Sequence, residues 1–264
     1  MNKFRFSRTV LIFGLLFLYL PILSLVIYSF NDSHMVNVWA GWSFKWYRVL
    51  LQDRMVLDAA WLTIRLALSA ASVALVLGMM IAFALKRFGS FRGRAFLQAL
   101  TFSPIIMPDV ATGLALLLMF VSLQLLIGIG NLGFLSMLIA HVCFCTAYST
   151  IVIQGRLNSI DRSTEEAAMD LGAKPFKTFL LITLPQMLPS LLSAWLLSIT
   201  LSVDDLVITS FIRGPSQTTL PIYIFSTIKT WVTPEINALA SIILLIVSLS
   251  VILGIVLSNK IQKN

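Results

Sequence analysis

Three carboxylates fall inside apolar runs of this 264-residue chain: Asp109 in SPIIMPDVATG, and Asp204 and Asp205 in LSVDDLVITS. The chain has eleven Asp and Glu residues in all, and the others sit in polar connections where water solvates them. An ionised side chain near the centre of a bilayer costs about 3 kcal/mol on insertion scales, so such groups are expected to face a cavity, a partner helix or a solute path. Arg65 is the one clearly basic residue within a span, near its outer end. The buried charge balance is therefore negative, and a negative path favours a cation.

Helical spacing separates the two adjacent aspartates. Neighbours on a continuous helix are about 100° apart, so both cannot point squarely into one path. Ser198, Ser202, Asp205 and Thr209 form one polar stripe, which favours Asp205 as the lumen-facing group with Asp204 as the alternative. Trp195, three residues before Ser198, is placed to flank that path. Pro104, Pro108 and Gly113 predict a kinked helix with space beside Asp109, although Asp109 could instead cap a helix at a break. Asp204 or Asp205 could also lie close enough to the outer surface to be hydrated. Trp195 and Tyr223 could offer ring faces to an ammonium group, worth about 0.5–2 kcal/mol per contact. A metal site is not expected, because no histidine or cysteine accompanies the aspartates on their span. His141, Cys145 and Tyr148 form a weak stripe read as helix packing, and Cys143 and Cys145 are read as small buried thiols.

The elements that must position these residues are membrane helices. The chain is 58% hydrophobic and 11% charged. Six apolar windows match the hydrocarbon thickness, at about Thr9–Phe30, Ala60–Leu85, Ala95–Leu123, Leu132–Gln154, Met187–Ile212 and Ala238–Ser258. The third and fifth contain polar residues and are candidates for breaks. The first, interrupted by Pro21 and lacking a small-x-small site after it, is expected to be a retained anchor. Lys3, Arg5, Arg8, Lys86, Arg87, Arg92, Arg94, Arg156, Arg162, Lys174, Lys177, Lys260 and Lys263 cluster on one side of these spans. The positive-inside rule puts that side, with both termini, in the cytoplasm. The net charge of +8 reflects this bias and does not point to nucleic acid. One membrane domain, 1–264, is expected.

Two outer connections carry further signals. Trp39, Trp42, Trp46 and Tyr47, between Asn31 and Ala59, suit either a docking surface for an extracytoplasmic partner or an interfacial anchor. LPIYIFSTIKTW, between Gly214 and Asn237, is placed to form a short amphipathic helix.

The connection at about 155–186 reads as a folded unit. Ser163 and Glu166 have the spacing of a capping box, Glu165 adds charge to the first turn, and Gly172 is placed to end the helix. Pro175 suits the start of a second short helix bearing Phe176, Phe179 and Leu180, which Pro185 is expected to close. Glu166, Ala167, Ala168, Gly172, Ile182, Leu184 and Pro185 resemble, at every fixed spacing, the signature loop of ABC importer permeases. That resemblance implies an all-α permease fold of six transmembrane helices. It also implies a cytoplasmic coupling loop, including Glu165, that fits a groove on an ATPase subunit.

Longer segments (FNDSHMVNVWAGWSFKWY, FSPIIMPDVATG, HVCFCTAY, LSVDDLVITSFIRGPSQTTLP and PEINALA) resemble spermidine/putrescine ABC transporter permeases, most of all the second permease of putrescine importers. The resemblance implies a bacterial inner-membrane protein paired with a sister permease, a dimer of cytoplasmic ATP-binding subunits and an extracytoplasmic polyamine-binding protein. It also points to Asp109, Asp205 and Tyr223 as polyamine contacts. The chain has no G-x-x-x-x-G-K-[ST], so a partner must hydrolyse ATP, and no cofactor is expected. Competing readings are a permease for another small solute, a stand-alone cation carrier, and an intramembrane aspartyl protease. The last is weakened because Val203, not glycine, precedes Asp204.

Overall fold

The computed structural model describes the backbone of residues 2–36, 38–128, 130–230 and 233–261, and the side chains of 6–36, 38–128, 130–230 and 233–249. The basic side chains of Lys3, Arg5, Lys260 and Lys263, residue Trp231 and the side chains of the last part of the sixth apolar window lie outside the described residues. The described backbone is helical, with one isolated antiparallel bridge between Asn31 and Trp42. The helices are α1 (Asn2–Tyr28), α2 (Lys45–Gln52), α3 (Arg54–Arg87), α4 (Arg94–Ile106), α5 (Asp109–Ile127), α6 (Phe134–Ser159), α7 (Ser163–Asp170), α8 (Pro175–Thr178), α9 (Leu184–Val203), α10 (Val207–Ile212), α11 (Leu220–Thr230) and α12 (Pro234–Ile261). A π-helical turn, Phe179–Thr183, joins α8 to α9.

Among the described residues, five helical segments are long and apolar enough to cross a membrane: Phe6–Tyr28, Arg54–Arg87, Asp109–Ile127, Phe134–Ser159 and Pro175–Val203. The described apolar run of α12, Pro234–Leu249, is shorter. Pro21 does not interrupt α1. Membrane helices tolerate an internal proline, and α1 runs on through it.

The chain forms two compact units, Met1–Asp58 with Tyr223–Asn264, and Ala59–Ile222. In the first, α12 packs on α1 and α2. The Asn31 side chain organises the loop after α1, donating to the Val38 carbonyl at 2.6 Å and accepting from the Ala40 N–H at 2.8 Å. The Trp46 indole is buried and donates to the Asn31 carbonyl at 2.8 Å, and the Tyr47 hydroxyl lies 2.6 Å from Ser29 Oγ. Trp46 and Tyr47 thus hold the loop itself together, while Trp42 is 73% exposed.

In the second unit α6 is the hub: 61% of its most apolar stretch is buried within the chain. It packs along α9 and also touches α4 and α10. Apolar burial does not drive helices together in lipid, so close packing and interhelical hydrogen bonds must. Ala140, Cys145, Ala147 and Ser149 of α6 and Ala194, Ser198 and Ser202 of α9 are all buried, which makes this a small-residue interface. Ser149 Oγ lies 2.9 Å from Ser198 Oγ across it. Cys143 is exposed, contrary to the reading of both thiols as buried, because a two-residue step turns it to the other side of α6 from buried Cys145. Gly113 lets α5 approach α10: a Cβ there would meet the Phe211 ring at 2.7 Å.

The two suspect spans are broken. Pro108 has no N–H and pushes Met107 into an extended conformation (ψ 140°), so α4 stops and α5 starts afresh. The fifth span breaks at Asp204–Leu206, between α9 and α10.

Candidate functional site

Both breaks open onto one cleft. Asp109, Asp204 and Asp205 line a cavity of about 270 Å³ with Phe144, Tyr148 and apolar residues of α9 and α10. No Lys or Arg is among its lining residues. Backbone irregularity at membrane depth is tolerated where it lines a cavity, and carboxylates there face that cavity rather than lipid.

The three aspartates are held differently. Asp205 Oδ2 accepts from the Thr209 N–H at 2.8 Å and the Thr209 hydroxyl at 2.6 Å, and Oδ1 accepts from the Ile208 N–H at 3.3 Å. Asp205 therefore caps the free donors at the start of α10, and its side chain is 10% exposed. Asp204 is the exposed C-cap of α9. Asp109 is exposed in the first turn of α5 and caps nothing; its N-cap is Pro108, whose carbonyl accepts from the Thr112 N–H at 3.0 Å. The capping role considered for Asp109 belongs to Asp205.

Asp204 and Asp205 are not set apart by helical spacing: α9 ends at Val203, so the 100° rule no longer relates the two side chains and both line the cleft. The predicted stripe of Ser198, Ser202, Asp205 and Thr209 is likewise not a helix face. Ser202 and Thr209 meet instead on His141, with Nδ1 2.7 Å from Ser202 Oγ and Nε2 2.8 Å from Thr209 Oγ1.

The aromatic candidates lie elsewhere. Trp195 is not among the cleft-lining residues; its indole donates to Ser72 Oγ of α3 at 3.2 Å. Tyr223 belongs to the first unit and donates to Asp53 Oδ2 at 3.3 Å. Burial first, and then the Asp53 charge, push its phenol above the ordinary value, so it is a neutral donor at neutral pH. The rings that do line the cleft, Phe144 and Tyr148, were missed as a pair.

At the other end of α9 the polar connection folds as a helical hairpin. The expected Ser163–Glu166 capping box does not form: Ser163 lies within α7 and its hydroxyl donates to Asp161 Oδ2 at 2.7 Å, while its N–H donates to Asp161 Oδ1 at 3.0 Å. A carboxylate is the stronger acceptor, and these two bonds hold Asp161 below its usual range. The far end of α7 does follow the sequence reading. Gly172 adopts φ +87°, with the Gly172 N–H on the Met169 carbonyl and the Ala173 N–H on the Ala168 carbonyl at 3.0 Å, the pattern of a Schellman cap. Pro185 does not close the second helix. It sits just past the π-helical turn, whose wider winding accommodates a residue without an N–H, and the helix runs on from Pro175 to Val203.

The hairpin presents Leu171, 90% exposed, and Phe176, 73% exposed, on either side of its turn. Glu166 and Ala167 are also exposed. Glu165 points the other way. Its Oε1 accepts from Arg87 Nη2 and from Thr183 Oγ1, both at 2.8 Å, which ties α7 to the end of α3 and to the π-helical turn.

Residues 74–263 match the family described as the inner membrane component of binding-protein-dependent transport systems. This chain belongs to that family. Relatives of this inner membrane component include the putrescine transport system permease protein PotI of Escherichia coli strain K12, 53% identical over 236 residues, covering 89% of this chain and 84% of that protein. The spermidine/putrescine transport system permease protein PotC of Haemophilus influenzae is 39% identical over 260 residues, covering 98% of this chain and 99% of that one. In fold, the component is similar to a chain of a bacterial ABC transporter involved in the import of the acidic polysaccharide alginate. There the TM-score is 0.75, the identity 19%, and the coverage 97% of this chain and 96% of the other. Together these make it a multi-pass permease of the ABC importer fold. Membership of a transport family also removes the protease reading.

Proposed function

We propose that this chain is the membrane-spanning permease subunit of an ATP-driven ABC importer of polyamines, and that its acidic cleft contacts the cation in transit. The observation that carries the cargo reading is the convergence of Asp109, Asp204 and Asp205 on one cleft whose lining includes no Lys or Arg. A diammonium cation entering it gains attraction from each carboxylate in a region of reduced dielectric. Phe144 and Tyr148 supply walls with which ammonium groups and methylene stems can interact. The names of the relatives support the same cargo.

Energy reaches the cleft from outside the chain. A helical path of 29 residues, Pro175–Val203, leads from the hairpin turn to the Asp204–Leu206 break. At 1.5 Å per residue it is about 40 Å long. A cytoplasmic ATPase subunit seated on Leu171 and Phe176 would push on one end of this rod, and the other end carries Asp204. In this reading the permease pairs with a sister permease, docks two ATPase subunits inside and a polyamine-binding protein outside, and works as a single domain in the bacterial inner membrane. The hairpin, both termini and the basic residues beside them face the cytoplasm.

The test is uptake by the reconstituted complex with diamines, triamines, inorganic cations and anions as competitors. Competition by diamines and triamines, abolished when the ATPase subunit is inactivated, supports the reading. Uptake that persists without ATP hydrolysis, or that anions block as well as amines do, removes it.

A further inference from the structure

We propose that His141 is a positioning residue for the translocated cation, one that holds Asp205 in place from behind; this rests on the reading of Asp205 as a cation contact. The ring spans the break in the fifth span. On one side it reaches Ser202, in the last turn of α9, and on the other Thr209, in α10, at 2.7 and 2.8 Å. It is fully buried on α6. One imidazole therefore ties three helices together where the backbone itself is interrupted.

The donors and acceptors run in one direction. The single Thr209 hydroxyl proton goes to Asp205 Oδ2 at 2.6 Å. Thr209 Oγ1 is then the acceptor for His141 Nε2–H, which leaves Nδ1 to accept from the Ser202 hydroxyl. Asp205 Oδ2 also takes the Thr209 N–H, and His141 Nε2 lies 3.5 Å from it. The donors around Oδ2 all belong to the chain. Oδ1 has one long contact, to the Ile208 N–H at 3.3 Å, so it keeps the acceptor capacity an ammonium group needs. A histidine that only packed would need no connection to the cleft, whereas this relay ends on a cleft carboxylate. The ring also packs against Phe144, centroids 5.2 Å apart, and Phe144 lines the cleft.

The experiment measures uptake rate in proteoliposomes holding the full complex, at saturating putrescine-loaded binding protein, for His141→Leu, Thr209→Val, Thr209→Ser, Asp205→Asn and each of the first two combined with Asp205→Asn. Loss of a hydrogen bond that orients a charged group is expected to lower the rate about tenfold in His141→Leu and in Thr209→Val. Thr209→Ser keeps the hydroxyl and stays near the parent rate. On the Asp205→Asn background the first two changes add less than about twofold, because residues acting through one group are not additive. A Thr209→Ser variant as slow as Thr209→Val, or effects that multiply with Asp205→Asn, would overturn the positioning role while leaving the cleft reading intact. An Asp205→Asn complex with the parent rate would remove the cleft reading and this proposal with it. If His141→Leu fails to assemble, the Thr209 pair decides the matter alone.

Discussion

Arg87, the last residue of α3, donates to Glu165 of α7 across 2.8 Å, and the same carboxylate oxygen takes the Thr183 hydroxyl from the π-helical turn. The pair is mostly shielded from water, with side chains 14% and 16% exposed. Glu165 thus joins the hairpin to two membrane helices at once.

Breaking this junction should uncouple ATP hydrolysis from uptake. Charge-assisted hydrogen bonds contribute about 1.5–3 kcal/mol, so Glu165→Ala should lower uptake per ATP hydrolysed several-fold. Glu165→Gln keeps acceptors for both partners and should lose less. Parallel measurement of uptake and ATPase activity in the reconstituted complex checks this, and equal coupling in all three proteins would contradict it.

Gly172 makes a finer prediction. Nothing lies within 4 Å of a Cβ built there, so a substitution is penalised by the +87° φ and not by crowding. The left-handed conformation costs a non-glycine residue about 1–2 kcal/mol, less for Asn. Gly172→Asn should therefore recover ATPase subunit on co-purification better than Gly172→Val, with membrane insertion the same in both. Equal recovery would place the cost elsewhere.

The exposed apolar residues of the turn should act through docking. Leu171→Asp or Phe176→Asp should reduce co-purification of the ATPase subunit at least tenfold, since a carboxylate left unpaired at an apolar contact costs more than 1.4 kcal/mol. Undiminished co-purification with both would exclude this face as the seat.

Gly113 tests the packing that brings α5 beside α10. A Cβ 2.7 Å from the Phe211 ring overpacks the contact, at about 1–3 kcal/mol. Gly113→Ala should lower the melting temperature of the purified permease, and Phe211→Leu in the same chain should restore part of it. A melting temperature unaffected by Gly113→Ala would show that α5 and α10 are not in contact here.

The all-helical membrane fold and the hairpin were legible in the sequence because each depends on local signals: hydropathy over a window, and the Gly172 cap. The broken helices were foreshadowed by Pro108 and by the paired aspartates. The consequence at Asp204 and Asp205 was not, since helical spacing predicts side-chain direction only while the helix continues. Trp195 and Tyr223 were candidates for chemistry by type, yet their hydrogen-bond partners, Ser72 and Asp53, are 123 and 170 residues away in sequence. The role of His141 was missed for the same reason: its partners come from two other helices. The available signal was a lone imidazole within a membrane span.

The most direct test of the acidic path is putrescine uptake by the reconstituted complex carrying Asp205→Asn, compared with Asp58→Asn at an exposed position. Asp58 is the better control than Asp53, which Tyr223 engages. Asparagine is as good a helix cap as aspartate, so the substitution at 205 removes charge while α10 keeps its acceptor. A cleft that conducts a cation predicts uptake at least tenfold lower for Asp205→Asn and within about twofold of the parent for Asp58→Asn. Equal uptake by the two variants would contradict the account.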